Sequence, residues 1–285
     1  MSRTTIQLTA LGILFASASA AFGLVIEQKT EEFGPVAAAE AWSRIAALAP
    51  SDDTAIQTAV KLFEKGGQFA LAANVIAENV SSVDDNTQRG TLLGKLGELR
   101  LKAGDAGGAG DAFAEAADAG GSEGLSPEAA RRRSDMWEKA ERAYIDASRF
   151  IEAANALDQR AKGDASVDRV ALLTRAAELY ERAADPGGAI EKLLEASALD
   201  PAKTALSEKL EVLFRATERV GDFASHLSER AEKIADKDQR AAVRFKAADV
   251  QRELGDSYAA RETLLLVLND GENEAALAWL VDDAQ

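Results

Sequence analysis

Apolar and polar positions along this chain follow a helical period, and one apolar arrangement returns seven times. It is plainest in LLGKLGELRLKAGDAGGAGDAFAEAA from Leu92, in LLTRAAELYERAADPGGAIEKLLEASALDP from Leu172 and in RFKAADVQRELGDSYAARETLLLVL from Arg244. Each copy is a pair of amphipathic runs joined by a Gly-Asp-aromatic type of turn, with small residues at fixed offsets. No stretch alternates as a strand would, so the pattern predicts an all-α chain of about seven helical hairpins. A unit of this size buries its apolar face only against its neighbours, which predicts a solenoid.

The turns set the repeat. They are predicted near Phe33-Gly34, Gly67-Gln68, Gly104-Asp105, Ser148-Arg149, Ala184-Asp185, Gly221-Asp222 and Gly255-Asp256, with steps of 37, 44, 36, 37 and 34 residues between the second and the last. The stretched step holds DAGGSEGLSPEAARRR, Asp118 to Arg133. Its Gly-rich start reads as a loop, and Ser126-Pro127-Glu128 as a helix start with Ser as N-cap. Asp200-Pro201 repeats that punctuation. Leu264 to Leu268 is apolar on all sides and predicts burial on both sides. At the far end NEAALAWLVDDAQ reads as the first helix of an eighth unit. Leu277, Leu280 and Val281 share its inward face and Trp279 points outward, which predicts a covered surface: further chain after Gln285, or self-association through this helix.

These positions resemble the tetratricopeptide repeat. In the third unit Leu93, Leu96, Gly97, Ala109, Phe113 and Ala116 match its pattern, and in the fifth Leu173, Ala176, Ala177, Tyr180, Ala189, Leu193, Ala196 and Pro201. The fourth unit supplies Trp137, Tyr144 and Ala153, and the first Phe22, Ala38, Trp42 and Pro50. The sixth departs, with His226 at an Ala position and Arg230 at an aromatic one. The resemblance covers about Phe22 to Leu268 and implies an α-α superhelix. It also implies ligand binding in a concave groove lined by first helices. The matching positions are Glu98, Lys102, Glu138, Arg142, Glu178, Arg182, Glu211, Arg215, Arg219, Phe245, Asp249 and Arg252. Charges of both signs interleave there, and the Asn residues of the family's carboxylate-clamp type are absent. That favours a protein or peptide segment over a chaperone tail as the partner.

Composition narrows the function classes. The chain has 33 Lys and Arg against 48 Asp and Glu, a net charge of −15, so the basic surface that nucleic acid requires is missing. With no cysteine, thiolate metal sites and Cys nucleophiles are ruled out. The lone His226 has no second His to share a metal. Adjacent acids at Glu31-Glu32, Asp52-Asp53, Asp84-Asp85 and Asp282-Asp283 read as helix caps and solvated charge, and Gly104 to Gly110 as a repeat turn without the Lys-Ser/Thr pair of a phosphate loop. Arg131-Arg132-Arg133 reads as a solvated helix start, with an acidic-peptide contact as the alternative. Asn79-Val80-Ser81 matches a glycosylation sequon as a chance match does. Trp42, Trp137, Tyr144 and Tyr180 are read as packing residues. No catalytic residue, metal site or cofactor is assigned.

From Thr4 to Ile26 the chain carries no charge over 23 residues, long enough to span a bilayer. Ala18 and Ala20 suit cleavage before Ala21. Two readings stay open: residues 1–20 as an export signal or membrane anchor, which places the protein at a bacterial cell envelope or periplasm, and a cytoplasmic chain whose first repeat helix begins there. Residues 21–270 are assigned to the array and 271–285 to a partial C-terminal helix. The function expected is a non-enzymatic interaction scaffold. A regulatory input module of a larger assembly and a helical-repeat hydrolase are the alternatives.

Overall fold

The computed structural model of the chain describes residues 34–48, 53–121, 125–163 and 165–282. These residues form fourteen α-helices, a 3₁₀ turn at Val80–Ser82 and no strand. They fall into two compact units that divide between Arg149 and Phe150. The first contains α1 (34–48), α2 (Asp53–Lys65), α3 (Phe69–Asn79), α4 (Asn86–Lys102), α5 (Ala106–Asp118) and α6 (Pro127–Asp146). The second contains α7 (Phe150–Gly163), α8 (Arg169–Arg182), α9 (Pro186–Leu199), α10 (Thr204–Ala216), α11 (Val220–Lys233), α12 (Lys237–Glu253), α13 (Ser257–Asp270) and α14 (Glu274–Asp282). Even-numbered helices are the first helices of their repeats.

Six turns among the described residues are built alike. Each first helix ends on a residue of positive φ: Gly67 (70°), Gly104 (84°), Ser148 (58°), Ala184 (57°), Glu218 (57°) and Gly255 (81°). The N–H of that residue donates to the carbonyl three back, and the next N–H to the carbonyl five back. Gly104 and Asp105 donate in this way to Leu101 (3.0 Å) and Arg100 (2.8 Å), and Glu218 and Arg219 to Arg215 (3.2 Å) and Phe214 (2.8 Å). The carbonyls that a helix end leaves open are thereby satisfied. Where the next residue is Asp it also caps the second helix: Asp105, Asp185 and Asp256 accept from the N–H of Gly108, Gly188 and Ala259.

The sixth turn therefore lies at Glu218, three residues before the predicted Gly221-Asp222, and the steps become 37, 44, 36, 34 and 37. Gly221 sits inside α11. Glycine adopts positive φ without a Cβ penalty and so attracts the prediction. The hydrogen bonds of the turn nevertheless hold Glu218 there, as they hold Ser148 and Ala184.

This register realigns the core. Five residues after each turn residue come Ala72, Ala109, Ala153, Ala189, Phe223 and Ala260, and nine after it Ile76, Phe113, Leu157, Leu193, Leu227 and Leu264. All twelve are buried. Arg230 thus takes the place of Ala196 rather than of an aromatic, and His226 the place of Lys192. The small residues matter because rings lie directly on them: a Cβ at Gly97 would meet the Phe113 ring at 2.6 Å, and one at Gly110 the Tyr144 ring at 2.5 Å. Trp42, Trp137, Tyr144 and Tyr180 are buried, as their packing role requires.

Other expectations resolve locally. Ser126 caps α6 by accepting from Ala129 N at 3.2 Å. Asp200 ends α9, and α10 starts only after Lys203, so Asp200-Pro201 closes a helix instead of opening one. Leu264 and Val267 are buried, but Leu265 and Leu266 face solvent, so α13 is covered on one side and not on both. In α14 the inward face is Ala276, Trp279 and Leu280, spaced three and four apart, packed against Ala260, Leu264 and Val267. Leu277 and Val281 are exposed. The predicted orientation holds for Leu280 and is corrected for Trp279, which is inward, and for Leu277 and Val281, which are outward, because the face that carries Ala276 is the one that meets α13.

The uncharged run Thr4 to Ile26, with Ala18, Ala20 and Phe22, lies outside the described residues, as do Glu31-Glu32, Phe33, Pro50 and Asp52. Among the described residues no helix is long and apolar enough to cross a membrane.

Candidate binding face

The first helices bury the residues that repeat at core spacing and leave the residues one turn away on their outer side. A basic residue recurs there nine positions before the turn residue: Lys95, Lys139, Arg175, Lys209 and Lys246. Within each unit these lysines bind an acid on the preceding first helix. Lys95 donates to Glu64 at 2.9 Å and Lys139 to Glu98 at 3.1 Å. Lys209 donates to Glu178 at 2.6 Å, and Lys246 pairs with Glu211 at 3.0 Å. This ladder was readable as a period in the sequence, but its lysines were not among the predicted groove positions.

The predicted groove residues are placed as follows. Lys102 donates to Glu64 at 3.2 Å and lies 5.4 Å from the Phe69 ring. Burial pushes the Glu64 carboxyl up, but the hydrogen bonds from Lys95 and Lys102 prevail and hold it below its ordinary value. Glu138 and Arg142 form an ion pair one turn apart along α6. Arg182 stacks on Phe150 at 4.1 Å. Arg215 is doubly bonded to Glu253, at 2.6 and 2.9 Å, and also holds Glu211 at 3.1 Å; these partners raise its pKa, Glu253 foremost. Arg219 bonds Asp222 at 2.7 Å and faces Phe214. Asp249 accepts from Arg252 at 3.3 Å, and Arg252 lies over Trp279. Phe245 is drawn into the cluster that α14 completes and offers little surface. Val212, by contrast, is 67% exposed on α10, at the place that Glu98, Glu178 and Asp249 hold in other units.

The remaining candidates carry structure. Asp85 caps α4 through Gln88 N. Asp53 accepts from Gln57 in the first turn of α2. Asn79 is buried and its amide donates to Val75 O at 2.7 Å, so a glycan has no access. Arg131 and Arg132 are exposed, while Arg133 bonds Asp118 at 3.2 Å and lies on Trp137. Among the described residues no group of three potential ligands that could hold a metal ion is found. His226, half-buried on α11, has its pKa lowered to about 4, chiefly by burial and then by the charge of Arg230.

The sixth repeat is built differently. Seven residues before the turn and five after it, where the two helices of a hairpin meet, other units place Gly97 with Ala109, Ala177 with Ala189, and Ala248 with Ala260. The sixth has Glu211 with Phe223, large at both places. Phe223 is fully buried, its ring 6.0 Å from that of Phe214. It lies between α10 and α11, which pack on each other less extensively than α2 on α3, α4 on α5, α8 on α9 or α12 on α13. A cavity of about 470 Å³ opens between α10, α11 and α12, with Arg230 in its wall.

No family model matches the chain, and no curated protein matches it. Among solved structures it is similar to a tetratricopeptide repeat protein from Parabacteroides merdae, at 11% identity over 94% of this chain and 97% of that one, with a TM-score of 0.34. It is also similar to the complex of Naa15 and Naa10 bound to HypK-THB, at 12% identity over 93% of this chain and 39% of that one, TM-score 0.43. A third is YrrB, described as a TPR protein with an unusual peptide-binding site, at 11% identity over 71% of this chain and 96% of that one, TM-score 0.31. The repeating turn and the small contact residues make the fold tetratricopeptide-like.

Proposed function

We propose that the chain is a non-enzymatic interaction scaffold that holds a protein or peptide segment on the exposed face of its first helices. The observation that carries this reading is the ladder of paired charges on that face, repeated from unit to unit. The exposed pairs Lys139–Glu98 and Lys209–Glu178 contribute little to stability and exchange readily for a partner's charges. Arg142, Arg182 and Arg215 are the anchors of choice, since arginine carries a large share of binding energy at interfaces. Val212 adds an exposed apolar side chain on α10. In this reading the uncharged N-terminal run delivers or tethers the scaffold to a bacterial envelope, and α14 is a second contact surface through Leu277 and Val281.

The test is a comparison of partner capture by the wild-type chain and by Arg142→Ala/Arg182→Ala/Arg215→Ala. Loss of the captured protein with little change in melting temperature is the expected result. Full capture by the triple variant removes the first-helix face from the proposal. For the N-terminus, residues 1–30 fused to a periplasmic reporter should give activity, and an inactive fusion rejects export or anchoring.

A further inference from the structure

We propose that the cavity between α10, α11 and α12 binds a small carboxylic acid with an apolar body, its carboxylate on Arg230 and its body against Phe223, Leu227, Ile234 and Val243. The inference is independent of the scaffold reading. Arg230 is 5% exposed, and its Nε donates to Pro201 O at 2.6 Å. Among the described residues its two terminal nitrogens have no partner, and it forms no ion pair. Those nitrogens are not among the buried, unpartnered side-chain atoms and so are open to the cavity, where an anion would gain two charge-assisted hydrogen bonds. Burial already lowers its pKa, and Asp200 acts on it only from a distance.

The acids nearby do not fill that role. Glu211 lines the cavity but is held by Lys246 at 3.0 Å and Arg215 at 3.1 Å, and Glu208 is exposed at the rim. Glu211 and Lys246, which both line the cavity, pair with each other, so Arg230 is the lining cation that pairs with no acid among the described residues, and its two free nitrogens form the parallel pair of donors that suits a carboxylate. The rest of the lining is mostly apolar, and the cavity, about 470 Å³, is in the range of small-molecule sites. Ser207, Thr204 and Gln239 are its neutral polar side chains, too few to satisfy the backbone of an inserted peptide. A free acid is the occupant that fits.

Octanoate is a suitable probe of the full chain, followed by calorimetry and by methyl NMR. Saturable binding is expected, with shifts at Leu227, Ile234 and Val243 and none at Leu93 or Leu96. Octanol, which lacks the charge, and acetate, which lacks the body, should each bind about tenfold or more weaker, as loss of a charged hydrogen-bonding pair or of apolar burial implies. Arg230→Met should abolish the preference for octanoate over octanol. If that variant does not fold, the comparison of octanoate with octanol on the wild type decides alone. No saturable shift at the cavity methyls, or equal binding of octanoate and octanol, overturns the proposal. Tighter binding of an acetylated tripeptide acid ending in leucine overturns the choice of a free acid.

Discussion

Gly188 lies under the ring of Tyr180, so closely that a Cβ at Gly188 would meet Tyr180 Cδ1 at 2.5 Å. The ring has nowhere to go, because its hydroxyl donates to Asn155 Oδ1 at 2.8 Å. Gly188→Ala should therefore destabilise the fold by about 1–3 kcal/mol through overpacking, against the gain in helix propensity that alanine brings. Equilibrium denaturation measures it, and an unchanged midpoint would show that the contact yields.

Substitutions at the sixth turn distinguish its two placements. With positive φ at Glu218 and helical φ at Gly221, Glu218→Gly should stabilise by about 0.5–1 kcal/mol by relieving a strained conformation. Gly221→Ala should stabilise by about 0.5 kcal/mol, since nothing lies within 4 Å of a Cβ there. A turn at Gly221 instead would make the second change destabilising.

His226 makes stability depend on pH in a defined window. The unfolded chain takes up its proton near 6.5, and the folded chain only near about 4. Between these values the unfolded state binds more protons, so stability is fully present above 6.5 and declines as pH falls toward 4. His226→Gln should flatten the decline in denaturation midpoint between pH 7 and 5. Parallel profiles for the two proteins would remove His226 as its source.

The orientation of α14 predicts unequal effects of two neighbouring residues. Trp279 is packed in the terminal cluster under Arg252, whereas Leu277 is 48% exposed. Trp279→Ser should cost about 1–3 kcal/mol from lost apolar burial, and Leu277→Ser less than about 0.5 kcal/mol. The reverse order, read by thermal unfolding, would restore the outward tryptophan.

Asp270 joins α13 to α12 by accepting from Arg240 Nε at 3.0 Å and from Arg244. The Arg240 hydrogen bond, opposed by burial and aided by the charge of Arg244, holds the carboxyl below its ordinary value. Asp270→Asn should lower the melting temperature at pH 7 and lose its effect as pH falls below the usual carboxylate range, where the wild-type group is also protonated. An effect that persists in acid would assign the role to packing.

The sequence by itself determined the helices, five of the six described turns and the small residues that let helices meet. The reason is local: apolar spacing of three and four residues, Asp caps and Ala or Gly at contact positions act within a single hairpin. The groove charges were legible as positions, since exposure follows from helical phase. Their pairing was not, because Lys95 reaches Glu64 and Lys209 reaches Glu178 across a whole repeat. The tertiary structure alone placed the sixth turn at Glu218, where hydrogen bonds override the preference for glycine. It turned Trp279 inward, because the fit of Ala276 against α13 fixes the phase of a short helix that its own sequence leaves open. It also placed Phe223 between α10 and α11 and made Arg230 an unpaired buried charge, since a residue's burial depends on what packs against it, and in the sixth repeat the packing does not close.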